Sequence, residues 1–380
     1  MENAAETVGI AGLELLTAHE THLLQETKRI CDTVIEPRAE AVDNGEADPL
    51  DNLKTLAEAG LIGVTTPREW GGQGCSSAFL RVFTETLTAA CGTTWFILTQ
   101  HLGTCGTIHG SENATLRERF LRDMASGNHY VGVGFGHLRR KEPMLLATVV
   151  DGGYRVSGVA PWVTGYPYLS AVVFGATLDT DPECHVYLYA PVIESEQFAS
   201  SPPLPLCAMN ATATTEVTLS DLFVPQENFV KWGSRDGMKR GDDAGIAGAV
   251  SPAIGCATGA LRDLRRVADK RGSGIRALPA ATEAFANELA TLRERAYAIA
   301  DGAKDAPDYK TNALAVRAGA IELAVRIAHA AVAGAGGAGN SRAHPAQRRF
   351  REALFYTLTA QTGDILGATV SLLSRENRAT

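Results

Sequence analysis

Residues 152–165 read GGYRVSGVAPWVTG, and this stretch decides how the middle of the chain folds. It follows the apolar run LLATVV, and the intervening Asp151-Gly152-Gly153 predicts a hairpin turn, because glycine readily takes the positive φ that such turns require. Short runs rich in Val, Tyr and Thr recur at intervals of roughly ten residues from about residue 128 to about residue 228. This spacing predicts a modest antiparallel barrel or sandwich in the middle of the chain.

Helical periodicity dominates on both sides of the strand region. Before it, apolar residues at three- and four-residue spacing predict a helix over 79–98 and another that Asn113 can cap. After it, four long helices are predicted, at 254–271, 280–302, 309–333 and 345–375. The chain is therefore predicted to be an α+β protein with an N-terminal helical domain (1–127), a central antiparallel β-barrel domain (128–232) and a C-terminal helical bundle (233–380).

The composition is that of a globular protein with large cores. Of the 380 residues, 45% are hydrophobic and 21% are charged, which excludes a disordered chain. The 35 basic and 43 acidic residues leave a net charge of −8, which argues against a nucleic-acid partner, because phosphate binding needs a basic field. The seven cysteines are scattered without a CxxC pair, so we expect reduced thiols, no metal site and a cytoplasmic location. Neither a secretory leader nor a membrane partner is expected.

Motifs of several common enzyme classes are absent from the sequence, which has no GxSxG, HExxH or GxxxxGK[ST] pattern. Gly132, Gly134 and Gly136 alternate in a strand-like segment without the following turn and helix that a nucleotide-binding fingerprint requires. Two interpretations of these glycines stay open. They give room for close packing of the strand, or they allow its backbone to approach a flat cofactor ring.

Four side chains are candidate site residues, each with a structural alternative. Trp162 and Thr164 follow the hairpin strand, where an aromatic face and a hydroxyl would suit a flavin ring and where Trp162 could equally be a core residue. His101 lies in a helical stretch and His137 in a basic cluster at a strand end, and both are candidates for substrate contact. The alternatives are a structural histidine at His101 and a solvated loop at His137.

Five segments in order resemble the acyl-CoA dehydrogenase superfamily across nearly the whole chain. They are PREWGGQG from Pro67, the FTETL helix with Glu85, GGYRVSGVAPWVTG from Gly152, MNATATTEVTLSDLFVPQEN from Met209 and AIGCATGALRDLRRVADKR ending at Arg271. The resemblance implies an N-terminal helical domain, a central β-barrel and a C-terminal four-helix bundle. It also implies a homo-oligomer, dimeric or tetrameric, that binds FAD.

The resemblance further assigns seven residues to flavin binding. Those beside the flavin ring are Phe135, Gly136, Trp162 and Thr164. Those at the pyrophosphate and adenine end are Arg271, Gly336 and Gly337. FAD is the implied cofactor, and FMN or reduced flavin supplied by a reductase are the alternatives.

The position of the family's catalytic base is the main departure from the resemblance. The glutamate of the Tyr-Glu-Gly-Thr segment aligns with Ala360, and the alternative base on an earlier helix aligns with Gly245 or Ile246. Dehydrogenation of an acyl thioester needs a base at the α-proton, and neither alanine nor glycine can act as one. The catalytic residue of this chain therefore stays unassigned.

Three functions are compatible with the sequence. The first is a flavin-dependent monooxygenase or hydroxylase that receives reduced flavin and acts on a small metabolite. The second is an atypical dehydrogenase of an acyl thioester, which could be bound to a carrier, with an unrecognised base. The third is a non-enzymatic member of the fold that binds flavin weakly or not at all.

Overall fold

The computed structural model describes residues 13–271, 275 and 277–374. Its α-helices are α1 (Ala18–Ile30), α2 (Glu36–Asp43), α3 (Pro49–Glu58), α4 (Ser77–Ala90), α5 (Gly92–His109), α6 (Ala114–Ser126), α7 (Arg235–Gly245), α8 (Ser251–Arg271), α9 (Ala277–Asp301), α10 (Tyr309–Ala335), α11 (Pro345–Tyr356) and α12 (Gly363–Leu373). Its strands are β1 (Val131–Gly134), β2 (Leu145–Val150), β3 (Gly153–Val163), β4 (Ala171–Leu178), β5 (Asp181–Pro191), β6 (Phe198–Ser200), β7 (Thr215–Pro225) and β8 (Phe229–Ser234). The succession of helices, strands and helices confirms the predicted α+β architecture.

The strands form one sheet in the order β6-β7-β3-β2-β4-β5-β8, and β1 pairs with β4 beside this path. Most neighbours are antiparallel, as predicted, but β4 runs parallel to both β1 and β2. Among the described residues β6 and β8, the two ends of the path, do not pair. The predicted barrel is therefore a mostly antiparallel sheet that does not close and that contains two parallel pairs. Alternation of apolar residues identifies strands but does not determine which strands become neighbours.

The hairpin predicted at Gly152 is confirmed. β2 and β3 are antiparallel, with Val150 opposite Gly153 and Leu145 opposite Gly158. Gly152 lies in the turn with φ +76°, a left-handed conformation that glycine adopts at little cost. β3 also pairs with β7, and its last residue, Val163, lies opposite Thr215.

β4 is a buried strand that separates two apolar clusters. Val172, Phe174 and Ala176 pack with residues of β2, β3, β5 and β7 on one face. Ala171 and Val173 pack with residues of α5, α6 and β1 on the other. Because both faces are covered, the strand sequence AVVFGATL is apolar without alternation.

The described residues fall into two compact units. One takes them from Met1–Glu46, Ser76–Gly92 and Asp242–Thr380, and the other from Ala47–Cys75 and Thr93–Gly241. The first unit contains α1, α2, α4 and α8 to α12, and the second contains the sheet with α3, α5 and α6. The three domains with boundaries at residues 127 and 232 stay a prediction, and the two units divide the N-terminal helices between them.

Within the first unit α4 and α8 approach each other closely. A methyl group on Gly255 of α8 would lie 1.8 Å from Thr88 Oγ1 and 2.4 Å from the carbonyl oxygen of Glu85 on α4. Glycine is required at this crossing because any larger residue would push the two helices apart. α8 also packs against α9, α10 and α11, and these helices form the C-terminal bundle.

Two of the predicted helices are interrupted. The helix predicted over 79–98 breaks at Cys91, between α4 and α5. The helix predicted over 345–375 ends at Tyr356 and begins again at Gly363, and its predicted last residue lies outside the described part of the chain. The intervening TLTAQT contains three threonines, which are poor helix formers, and Thr362 caps α12 by accepting a hydrogen bond from the Ile365 N–H at 3.3 Å.

The segment Tyr309–Asn340, which includes α10, is long and apolar enough to cross a membrane by length and composition alone. Half of its most apolar window is buried inside the protein. Such burial is expected of a central bundle helix, and α10 packs against α8, α9, α11 and α12.

Candidate active site

Trp162 and Thr164 lie at the end of β3 in contrasting environments. Trp162 is 56% exposed although its indole is large and apolar, whereas the intervening Val163 is fully buried. The interpretation of Trp162 as a core residue is therefore wrong. Thr164 is only 3% exposed. An exposed aromatic face beside a buried hydroxyl can accommodate a flat aromatic ligand.

Thr164 belongs to a chain of three buried threonine hydroxyls. Thr164 Oγ1 lies 3.0 Å from Thr214 Oγ1, which lies 2.9 Å from Thr212 Oγ1. The Gly165 N–H donates to the Thr212 carbonyl at 2.8 Å, which ties the end of β3 to this segment. Thr212 and Thr214 were not predicted as site residues, and the available signal was the threonine-rich run TATT at residues 212–215.

The segment that carries these threonines is strained. Met209 has φ +53° and Ala213 has φ +46°, both in the left-handed region that favours glycine. Each such residue costs on the order of 1–3 kcal/mol and persists only where its surroundings hold it. The surrounding structure therefore holds this segment, and with it Thr212 and Thr214, in one conformation.

The three alternating glycines serve two different purposes. A methyl group on Gly132 would lie 2.3 Å from Leu169 Cδ1, and one on Gly134 would lie 2.6 Å from Phe174 Cδ1. The packing of β1 therefore leaves little room for a side chain at either of these two glycines. Gly136 is exposed, and a methyl group there would meet nothing within 4 Å. Gly136 alone leaves open backbone that a ligand could approach.

Phe135 and His137 flank Gly136 and are both directed inward. The Phe135 ring packs edge-on against Tyr187, with 5.3 Å between ring centroids. His137 is 5% exposed, and burial lowers its pKa to about 4. It forms a hydrogen bond with the Gly175 backbone, while its Nε2 has no hydrogen-bond partner among the described residues. The solvated-loop interpretation is wrong for this side chain, and its contact with substrate stays a prediction.

His101 is a core histidine with both ring nitrogens engaged. Its Nδ1 accepts a hydrogen bond from the Val131 N–H at 3.2 Å, so the proton lies on Nε2, which donates to the Met124 carbonyl at 2.9 Å. Burial lowers the pKa of His101 to about 4, so the ring is neutral near pH 7. These contacts join α5, α6 and β1. They leave no ring nitrogen for the predicted substrate contact, which the geometry does not support.

The remaining predicted flavin residues lie where α8 and α10 end. Arg271 donates from Nε to the Gly334 carbonyl at 3.1 Å and from Nη2 to the Ala335 carbonyl at 2.8 Å. Gly336 has φ +65°, and a methyl group there would lie 2.6 Å from Arg271 Nη2, whereas Gly337 is open. Arg271 thus caps the C-terminus of α10 in its own chain, where a cation is favourable. Its contact with a pyrophosphate stays a prediction.

Ala360 lies on the loop between α11 and α12, where it is exposed and has φ +50°. Arg317 of α10 donates from Nη2 to the Thr359 carbonyl at 3.0 Å and from Nη1 to the Ala249 carbonyl. The loop sequence TLTAQT contains no carboxylate, imidazole or amine side chain. It therefore offers no group that could take up a substrate proton near pH 7.

The second position to which the resemblance assigns a base lies at the end of α7. Gly245 is the last residue of that helix, and Ile246 is buried. The neighbouring Asp243 binds Lys310 at 3.2 Å, and Lys310 also binds Asp364 at 2.6 Å. The nearest carboxylate in sequence with a described contact is thus held in an ion pair.

In the described part of the chain, no group of three or more His, Cys, Asp or Glu side chains is placed to hold a metal ion. The seven cysteines are free thiols. The candidate site residues thus include groups at the end of β3 and after β1 in one unit, and groups around Ala360 in the other.

Comparison with known proteins identifies the family. Residues 17–128 match the family model described as acyl-CoA dehydrogenase, N-terminal domain. The chain is 23% identical to the short-chain-specific acyl-CoA dehydrogenase of Clostridium acetobutylicum, over 94% of this chain and 98% of that protein. The butyryl-CoA dehydrogenase of Megasphaera elsdenii shares the fold with a TM-score of 0.81 at 18% identity, over 95% of this chain and 99% of that one. The first third of the chain thus matches the acyl-CoA dehydrogenase family, and nearly the whole chain is similar to members of that superfamily.

A protein that is named for another reaction is also similar to this chain. The oxygenase subunit HsaA of a flavin-dependent monooxygenase from Rhodococcus jostii is 24% identical over 195 residues. That match covers 51% of this chain and 48% of HsaA, so the chain spans about half the length of this relative. The similarities are therefore compatible with both dehydrogenation and oxygenation.

Proposed function

We propose that this protein is a flavin-dependent monooxygenase or hydroxylase that uses reduced flavin and acts on a small metabolite. The observation that supports this reaction is the methyl group of Ala360 at the superfamily's base position, together with Gly245 and Ile246 at the alternative one. General-base catalysis contributes on the order of 10²–10⁴ in rate, and dehydrogenation of a thioester would lose that factor here. Oxygenation needs a site that excludes water and orients the acceptor, and it does not need this carboxylate.

The residues after β1 and at the end of β3 fit a flavin ring. Trp162 offers an exposed aromatic face, Gly136 offers open backbone and Thr164 offers a hydroxyl. FAD is the proposed cofactor, and reduced FAD would supply the electrons that activate O₂. The resemblance adds Arg271, Gly336 and Gly337 as proposed flavin contacts.

The hydroxyl chain can orient the proton of Thr164. If Thr212 donates to Thr214 and Thr214 donates to Thr164, the Thr164 Oγ1 keeps its own proton for an acceptor on the cofactor ring. Hydrogen bonds that run in one direction polarise one another, which strengthens the last donor. The chain would thus hold a donor at a fixed position beside the ring.

The proposed setting includes two protein partners. One is a flavin reductase, which would deliver reduced flavin in the cytoplasm. The other is a second copy of the chain, because Leu366, Val370 and Leu373 form an exposed apolar stripe along α12. Relatives named for acyl-CoA substrates make a small or carrier-bound acyl group a further candidate for the substrate.

Affinity for the two redox states of FAD tests the proposal without knowledge of the substrate. Dissociation constants of oxidised and photochemically reduced FAD would be measured under anaerobic conditions. We expect reduced FAD to bind at least tenfold more tightly, because the flavin must arrive reduced and leave oxidised. Tight copurification of oxidised FAD that is bleached by an acyl-CoA would overturn the proposal.

An atypical acyl-thioester dehydrogenase is the second candidate function. It is favoured by the likeness to acyl-CoA dehydrogenases over nearly the whole chain, since the HsaA match covers only about half. This candidate requires bound oxidised FAD that an acyl-CoA can reduce. A protein that binds neither redox state would instead have a non-enzymatic role.

A further inference from the structure

Arg317 is a buried cation without a carboxylate partner among the described residues. Its side chain is 1% exposed, and burial lowers its pKa to about 10. Its hydrogen bonds go to two backbone carbonyl oxygens, and its Nε has no hydrogen-bond partner in the same part of the chain. A charge removed from water is costly unless an opposite charge compensates it.

Two other buried arginines of the same unit show the usual solution. Arg348 and Arg349 are also almost completely buried, and they bind the carboxylate of Glu352 at 2.7 Å and 2.8 Å. The fold thus supplies a carboxylate to a pair of buried guanidinium groups in α11. Arg317 of α10 lacks one, which indicates that its counter-charge comes from outside the described residues.

Arg317 also connects the two positions at which the superfamily carries its base. Its Nη2 binds the carbonyl of the peptide bond between Thr359 and Ala360. Its Nη1 binds the carbonyl of Ala249, four residues after Gly245. The guanidinium lies one peptide group from Ala360, close enough for its charge to act there without direct contact.

Two further polar atoms next to Ala360 are buried and unsatisfied. Thr359 Oγ1 and Gln361 Oε1 have no hydrogen-bond partner among the described residues, although both are shielded from solvent. Buried polar atoms of this kind are rare in native proteins, and a ligand is one of the explanations for them. Thr359 can donate a hydrogen bond to an incoming oxygen, while the exposed methyl group of Ala360 leaves space beside it.

We propose that the Ala360 loop is an oxyanion-binding position and that the substrate carries an ionised oxygen, either a carboxylate or a phenolate. The negative charge that relatives carry on the protein would here arrive with the substrate, and Arg317 would stabilise it. Hydrogen bonds to a charged group are roughly twice as strong as neutral ones, so the Thr359 hydroxyl adds specificity. This inference rests on the proposed function, because it names the class of substrate on which that function would act.

The test compares Ala360→Glu with Ala360→Gln in the full-length protein. The two side chains have nearly the same size, and only glutamate brings a negative charge that can compensate the positive charge of Arg317. We expect a thermal midpoint several degrees higher for Ala360→Glu than for Ala360→Gln. We expect this difference to shrink when Arg317→Gln is added to both variants. Equal midpoints for the two single variants would overturn the proposal. No flavin or O₂ takes part, so failure of the monooxygenase proposal would leave this result unchanged.

A second test measures the binding of small anionic ligands. Benzoate and 4-nitrophenolate represent the two sources of an ionised oxygen, and benzamide is the neutral control, all at matched ionic strength. We expect at least one of the two anions to bind the native protein at least tenfold more tightly than benzamide, and to lose that advantage in Ala360→Glu. Equal affinity of both anions and benzamide for the native protein would contradict an oxyanion position.

Discussion

At the scale of the residue, Ala360 presents a methyl group at the position to which the resemblance assigns a catalytic carboxylate. The peptide bond in front of it is held by a buried arginine, and the nearest described carboxylate at the alternative position is paired with Lys310. Neither position therefore offers a free carboxylate among the described residues that could act as the base. Trp162, in contrast, is exposed on a strand end where the hydrophobic effect alone would bury it.

Replacing Trp162 by alanine tests whether this exposure serves flavin binding. We expect about a five- to tenfold loss of FAD affinity, because an aromatic stacking contact contributes about 1 kcal/mol. The thermal midpoint should stay unchanged, since an exposed side chain contributes little to the core. Trp232→Ala is the matched control, because Trp232 is also exposed but packs on Tyr154 and Phe229. Equal FAD affinity in the native protein and Trp162→Ala would remove Trp162 from the site.

The buried His101 predicts loss of stability in acid. Its pKa is about 4 in the folded protein, below the ordinary value of 6.5, so the unfolded chain takes up a proton first as the pH falls. Stability is complete above pH 6.5 and declines towards pH 4, by about 2 kcal/mol between pH 7 and pH 5 for this one residue. Urea unfolding at a series of pH values should show a shallower decline in His101→Gln. A parallel decline in both proteins would show that His101 does not carry the effect.

At the scale of the element, β1 and the turn after it contain both a tightly packed glycine and a glycine whose backbone is open to a ligand. Gly134 faces the buried ring of Phe174, whereas Gly136 faces open space. The same residue type therefore has a structural role at one position and a candidate ligand role two residues later.

Alanine at each of these glycines separates the two roles. Gly134→Ala should destabilise the protein by about 1–3 kcal/mol, because the new methyl group overpacks a core that includes Phe174 and Val172. Gly136→Ala should leave stability unchanged and weaken FAD binding. Urea midpoints and FAD titrations of the two variants provide the check. Equal destabilisation in both would argue that Gly136 is also a packing residue.

The sequence predicted where helices and strands lie better than it predicted which strands pair in the sheet. Helical periodicity located α8, α9 and α10, and Asp151-Gly152-Gly153 located the β2–β3 hairpin, because these are local properties of the chain. The parallel pairing of β4 and the opening of the sheet depend on contacts between distant segments. No local pattern encodes those contacts.

The candidate site shows the same limit. Trp162 and Thr164 were found through a motif, but Thr214, the partner of Thr164, lies 50 residues away and is bonded in turn to Thr212. The ring nitrogens of His101 find their partners on α6 and β1. Whether a histidine faces a ligand or the core is decided by such tertiary contacts and not by its neighbours in sequence.

At the scale of the whole molecule, α12 presents an unusual surface. Leu366, Val370 and Leu373 are all more than half exposed and recur at helical spacing, while Ile365 and Thr369 on the other face are buried. A large apolar stripe in water favours association with a matching surface. Self-association is therefore proposed to cover it.

Serine at these three positions tests the proposed self-association. We expect the native protein to be a dimer or tetramer by light scattering, and the triple variant Leu366→Ser, Val370→Ser, Leu373→Ser to have a smaller mass with its circular dichroism unchanged. Leu146→Ser with Val149→Ser, which replaces exposed apolar residues on β2, should keep the native mass. An oligomeric triple variant would place the interface elsewhere.

This protein is proposed to keep a flavin site but to lack the superfamily's base. The most direct test is anaerobic reduction of bound FAD with acyl-CoA thioesters. The native protein, Ala360→Glu and Ala360→Gln would each be loaded with oxidised FAD and mixed with thioesters of several chain lengths. We expect the native protein and Ala360→Gln to stay oxidised for many minutes, and Ala360→Glu to be bleached on the order of 10²-fold faster or more. Bleaching of the native protein as fast as Ala360→Glu would contradict the absence of a base.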